Sequence, residues 1–114
     1  MAVAERSFKF PRKERISHPD EFRKVMKSGK KISSRNFTLF MKENPNRFHR
    51  LGIVVSKEVG SATYRNRIKR LLREFFRLNK NRIKGSYDFV IRVKKGCLLR
   101  AYAETEEEMR KLFL

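Results

Sequence analysis

Tryptophan and glutamine are absent from this 114-residue sequence, cysteine occurs once, and only 12 acids stand against 30 lysines and arginines. Each shortage excludes something. Cys97 has no partner for an internal disulfide, and without a His or Cys cluster beside it no zinc site is expected. A small thiol near a strand end in a reducing, cytoplasmic setting is the plain reading. No window reaches the roughly 20 apolar residues of a spanning helix. The N-terminus, with Glu5, Arg6, Lys9, Arg12 and Lys13 around two phenylalanines, lacks the apolar run of a secretory signal. His18 and His49 stand in unrelated contexts, and no paired carboxylates suit metal-dependent hydrolysis. Gly52, Gly60, Gly85 and Gly96 are scattered turn or bulge positions, not a phosphate-cradling loop. Bond-breaking chemistry is therefore not expected from this chain alone. The missing glutamine beside abundant Glu, Lys and Arg leans towards a thermophilic source.

What remains is charge and a core. The net charge of +18 sets self-repulsion against compaction, which a polyanionic partner would relieve. Apolar residues make up 39%, ten of them phenylalanine, so the chain can fold. Its length suits one domain, residues 1–114, and no repeat or linker divides it.

Residues 1–16 read as an extended arm, with Phe8, Phe10 and Pro11 laid across the body. A helix is predicted over 19–28: Ser17 or His18 caps it, Pro19 suits its first turn, and Gly29 ends it. Phe22, Val25 and Met26 form its apolar face. Residues 30–33 supply a short edge strand. Over 36–43 the alternation puts Phe37, Leu39 and Met41 on one face and Thr38, Phe40 and Lys42 on the other. Asn44-Pro45-Asn46 turns the chain into a strand over 48–57, with Ile53-Val54-Val55 as a buried run. Another strand covers 87–93, and an acid-rich helix covers 102–113. The expected architecture is a two-layer α/β domain in the order α-β-β-β-α-β-α.

Residues 61–79 carry the functional signal. At about 100° per residue, Ile68, Leu71, Leu72, Phe75, Phe76 and Leu78 share one side of a helix. The other side receives Asn66, Arg67, Lys69, Arg70, Arg73 and Arg77, with Glu74 the only acid. A solvated face normally mixes signs so that i,i+4 pairs form. Here the basic residues from Arg65 to Arg73 include no acid, which suits phosphate oxygens. Anionic lipid is the competing target, but the apolar side is needed to cover the sheet. Phe22 and Phe40 are either core or aromatic platforms for unpaired bases. A small ribosomal or RNA-chaperone protein and a DNA-compacting protein remain alternatives at this point.

The run from Arg65 to Glu74, preceded by Leu51-Gly52-Ile53-Val54-Val55-Ser56-Lys57 and Gly60, closely resembles the signature of the bacterial ribonuclease P protein component. Arg15-Ile16, Glu21-Phe22-Arg23-Lys24-Val25 with Gly29, and Ser86 to Ile91 resemble other segments of that family. The resemblance implies a four-stranded sheet with about three helices and a left-handed β-α-β crossover around the basic helix, against the usual handedness. It implies an accessory subunit of an endoribonuclease that removes the 5′ leader from precursor tRNA, with magnesium on the catalytic RNA subunit. No cofactor, membrane or small-molecule substrate is expected for the protein. By the resemblance, Arg65, Asn66, Arg67, Lys69, Arg70 and Arg73 meet the RNA subunit, while Phe22, Met26, Phe40, Ser56 and Lys57 line a cleft for the leader. Two positions depart from the family pattern. Glu58 stands where a second lysine is common, and Met26 stands where a ring is common.

Overall fold

The computed structural model describes residues 9–99 and 101–113. Helix α1 spans Pro19–Ser28. His18 caps it, its Nδ1 accepting from the Asp20 backbone N–H at 3.1 Å. Gly29 caps its end, its N–H donating to the Val25 carbonyl at 2.9 Å, and a Cβ there would stand 2.6 Å from that oxygen and 2.7 Å from the carbonyl oxygen of Met41. Strands β1 (Lys30–Ser33), β2 (Phe37–Glu43) and β3 (Arg50–Val54) follow, then α2 (Ala62–Asn79), β4 (Tyr87–Val93) and α3 (Tyr102–Phe113). This is the predicted order.

The sheet runs β1-β2-β4-β3. Among the four described strands only β3 and β4 pair in parallel, so α2 is the crossover between adjacent parallel strands. One sheet face presents Phe37, Leu39, Leu51, Phe89 and Ile91 to Ile68, Leu72, Phe75 and Phe76 of α2 and to Met109 and Leu112 of α3. The other face presents Phe40 and Val90 to Val25 of α1 and to Ile16.

Several expectations need correction. The run Ile53-Val54-Val55 is only half-buried, because β3 lies at a sheet edge and ends at Val54. Leu78 falls on the flank of α2 and is exposed. Gly52 is not at a turn: it sits inside β3, where a Cβ would approach the Phe22 ring to 2.5 Å. Positions 1–8 of the predicted arm, Phe8 among them, lie outside the described residues. From residue 9 the arm does lie against the body, but it is not extended throughout. A 3-10 turn occupies Arg12–Glu14, and Arg15 then pairs beside Leu51 in parallel. Phe10 packs edge-on against Phe76, with centroids 5.3 Å apart.

An ionic network fixes α1 to the sheet. Arg50 donates to both carboxylate oxygens of Asp88, at 2.8 and 2.7 Å, and to Glu21 of α1 at 2.8 Å. Burial alone would raise the Asp88 carboxyl, but hydrogen bonds from Arg50 and Asn44 and the charge of Arg50 hold it below its ordinary value. Its contribution to stability is therefore present above the unfolded value near ~3.9 and lost as pH falls through the lower folded value. Arg50→Ala leaves this carboxylate buried without its cation, a loss expected to cost about 3–5 kcal/mol at neutral pH. In urea unfolding, the gap between wild type and variant should narrow towards low pH, as protonation of Asp88 relieves the unpaired charge.

Candidate nucleic-acid interface

Ser61 starts α2 by accepting at Oγ from the Tyr64 N–H at 3.2 Å. Because the apolar side sinks into the sheet, the cationic side must face out. Asn66, Arg67, Arg70 and Arg73 are exposed, and Lys69 is half-buried. Arg65 is half-buried, and its Nη1 donates to the Gly60 carbonyl at 3.0 Å, tying the helix start to the loop before it. Glu74 is fully engaged by Arg77, which reaches its two oxygens at 3.1 and 2.8 Å. Among the described residues no acid pairs with Lys69, Arg70 or Arg73. Helix α3 behaves differently: Glu106 pairs with Arg110, and Glu107 with Lys111, at i,i+4 spacing. Ordinary solvated design is thus present on one helix and missing from the middle of the other.

On the opposite sheet face, Phe22, Met26 and Phe40 come together in one apolar cluster with Val25 and Val90. Phe22 and Met26 are half-buried, but Phe40 is only 4% exposed. The alternation placed Phe40 on the correct face. An open stacking platform is nevertheless not what the structure shows, because α1 and its neighbours cover the ring. A cation lies over the ring: the Arg92 guanidinium is 5.2 Å from its centroid. Ser56 and Lys57 are exposed just beyond the end of β3, and they are not part of the Phe22 cluster. Glu58 forms an exposed pair with Lys95 at 2.7 Å.

Sequence reasoning missed two cations. Arg92 was accessible through alternation, since Tyr87, Phe89, Ile91 and Val93 claim the other face of β4. Arg15, marked only by the family resemblance, was given no role, because only the tertiary docking of the arm beside Leu51 brings it to α2. There it joins Lys69, Arg73, Gly52 and Phe22 around a cavity of about 210 Å³ at the β3 edge. The helix surface and the aromatic cluster therefore adjoin across one strand. Among the described residues no His, Cys, Asp and Glu side chains gather to hold a metal, and no helix is long and apolar enough to cross a membrane.

Known proteins resemble this arrangement. The family model described as Ribonuclease P matches residues 10–114. The ribonuclease P protein component of Syntrophus aciditrophicus is 44% identical over 96 residues, covering 84% of this chain and 81% of the relative. That of Desulfosudis oleivorans is 39% identical over 107 residues, covering 94% and 88%. Among solved structures, the RNase P protein from Thermotoga maritima superposes with a TM-score of 0.79 at 32% identity, covering 88% of this chain and 94% of that one. The Staphylococcus aureus RNase P protein gives a TM-score of 0.78 at 29% identity, covering 86% and 90%.

The burial of Phe40 makes a direct prediction. Phe40→Ala should lower stability by about 3–5 kcal/mol, as truncation of a buried phenylalanine does. Urea or thermal unfolding checks it, and a stability loss below about 1 kcal/mol would mean that the ring is not packed as described.

Proposed function

The chain belongs to the ribonuclease P protein component family, and on that premise we propose that it serves as the accessory protein of a ribonucleoprotein endonuclease that removes the 5′ leader from precursor tRNA. The cationic side of α2, with Asn66, Arg67, Lys69, Arg70 and Arg73, binds the catalytic RNA subunit. Arg65 joins them at the start of that helix, where it also holds the Gly60 carbonyl. The α1 side of the sheet takes the single-stranded leader along Phe22, Met26, Ser56 and Lys57, with Phe40 as a buried floor under Arg92. Catalysis and its magnesium ions reside on the RNA, and the complex works in the cytoplasm.

One observation carries this reading: among the described residues no acid pairs with the exposed Arg70 and Arg73 or the half-buried Lys69 in the middle of α2, although α3 of the same chain pairs its charges. Phosphate is the partner that such a surface fits. Arg offers a planar fork and Lys a point charge, and each neutralised phosphate releases counterions. The same cations would screen repulsion between two RNAs, which otherwise demands divalent ions.

Two outcomes follow. RNA-free protein should leave precursor tRNA intact, whereas its addition to the cognate catalytic RNA should lower the magnesium required for cleavage. Metal-dependent cleavage by the protein alone would overturn the accessory role. Replacing Arg67, Arg70 and Arg73 together with Ala should weaken RNA-subunit binding and flatten its salt dependence. Each lost phosphate contact should remove roughly 0.7–0.9 from the log–log slope. Circular dichroism should change little, since all three side chains lie on the exposed side.

A further inference from the structure

The loop between β2 and β3 holds an arginine in a backbone conformation that costs it strain. Arg47 has a φ of 66°, and among the described residues, glycines aside, it alone has a positive φ. Glycine and asparagine reach this left-handed region most easily, and Asn46 stands only one position earlier. The conformation is nevertheless given to an arginine whose side chain is exposed.

Asn44 imposes that shape. Its Nδ2 donates to the Phe48 carbonyl at 3.2 Å and to Asp88 at 2.7 Å, while its Oδ1 accepts from the Asn46 N–H at 2.9 Å and the Ser86 hydroxyl at 2.6 Å. Because Asp88 is itself held by Arg50, the brace reaches into the sheet. Phe48, which follows Arg47, is half-buried, and Lys13 of the 3-10 turn lies over its ring at 4.9 Å from the centroid. Lys13 and its neighbour Arg12 are both exposed.

The strain is not offset by a pairing within the fold. Among the described residues no acid forms an ion pair with Arg12, Lys13 or Arg47. Of the acids on the elements that meet here, Glu14 is taken by Lys80 and Asp88 by Arg50, which leaves Glu43 at the end of β2. A strained residue held by its surroundings, with its charge turned to solvent, has the character of a binding residue rather than a packing one. Position separates it from the surfaces of the proposed function. The loop enters β3 at Arg50, whereas Ser56, Lys57 and the start of α2 lie beyond Val54 at the other end of that strand. The 5 residues of β3 set these ends roughly 15 Å apart.

We propose that the β2–β3 loop is a further RNA-contacting surface, in which Arg47, supported by Lys13, takes a backbone phosphate and Asn44 is the residue that positions it. A guanidinium suits the ligand because its planar fork matches phosphate oxygens, and a backbone already fixed leaves less to be ordered on binding. The proposal rests on the RNA-binding reading for the class of ligand and adds a contact remote from α2. The phosphate can belong to the catalytic RNA or to precursor tRNA.

The test measures binding of the full-length protein to its cognate catalytic RNA, and of the reconstituted holoenzyme to precursor tRNA, each over a range of salt. Arg47→Gly fits the backbone and removes only the cation. It should weaken one of the two equilibria roughly tenfold, the scale of one charged hydrogen bond. It should also remove roughly 0.7–0.9 from that log–log salt slope, with no fall in melting temperature. Arg47→Lys keeps the charge and should retain the slope. Asn44→Ala leaves every cation in place, yet it should weaken the same equilibrium, and Arg47→Gly added to it should cost less than Arg47→Gly alone. If Asn44→Ala fails to fold, Arg47→Gly decides. A loss in the first equilibrium supports the surface and assigns the phosphate to the catalytic RNA. A loss confined to the second supports it and assigns the phosphate to precursor tRNA. Unchanged affinity and slope in both, or a lowered melting temperature with RNA binding intact, overturn this surface and leave the proposed function standing. A wild-type protein that binds neither RNA overturns the proposed function and this surface with it.

Discussion

Ile68, Leu72, Phe75 and Phe76 of α2 are each at most 1% exposed, packed against the strands that carry Leu39, Leu51, Phe89 and Ile91. Burying a side chain of this size contributes about 1.5–3 kcal/mol, so the four together supply roughly 6–12 kcal/mol as an upper figure. Like-charge neighbours along a helix cost only about 0.2–0.5 kcal/mol each. The packing term wins comfortably. A helix whose exposed face would be poor on its own is thereby held rigid, and its rotation about its axis is fixed. That rotation decides which side chains meet a partner. The cations are displayed because the opposite side cannot leave the sheet.

The joints that carry α1 and the arm are built differently. Each relies on a partly or fully buried ion pair, Arg50 with Asp88 and Glu21 in one case and Lys80 with Glu14 in the other. Such pairs are weak sources of net stability, because desolvation offsets much of their attraction, but an unpaired member is costly. They therefore act more as selectors of arrangement than as glue. In both cases the selected arrangement brings an element to the exposed edge of β3, α1 with Phe22 over Gly52 and the arm with Arg15 beside Leu51. Gly52 permits the first of these contacts, since any side chain there would displace the ring.

Local pattern carried much of this fold. Cap residues and Gly29 bounded α1, strict alternation placed β2 and β4, and the helical period of 61–79 separated core from cations. The misreadings concern what lies over a residue rather than which way it points. Alternation put Phe40 on the far face but could not say that α1 would cover it. The apolar run in β3 looked central because hydrophobicity does not reveal that a strand is an edge. Arg15 and Lys80 had no visible role, since their partners Phe10, Leu51 and Glu14 meet them only through the docking of the arm. Arg92 could have been found: once Phe89 and Ile91 claim one face of β4, the residue between Ile91 and Val93 must lie on the other.

The distribution of the acids completes the electrostatic logic. Glu14, Asp88 and Glu21 are used at joints, Glu58 and Glu74 each neutralise a neighbouring cation, and Glu108 accepts hydrogen bonds from Ser34 and from the Asn36 backbone and side chain. Glu106 and Glu107 pair within α3. Among the described residues none of these forms an ion pair with Lys69, Arg70 or Arg73. A net charge of +18 would repel a compact chain wherever it lay, and on α2 part of it stands exposed where an approaching polyanion would find it. Charge of one sign gathered on one side creates a field that orients encounter before contact, and it falls off within about 8–10 Å at physiological salt. The rigid helix thus carries the cations that can orient an approaching polyanion, while the crevice at the β3 edge brings ring, guanidinium and backbone close together.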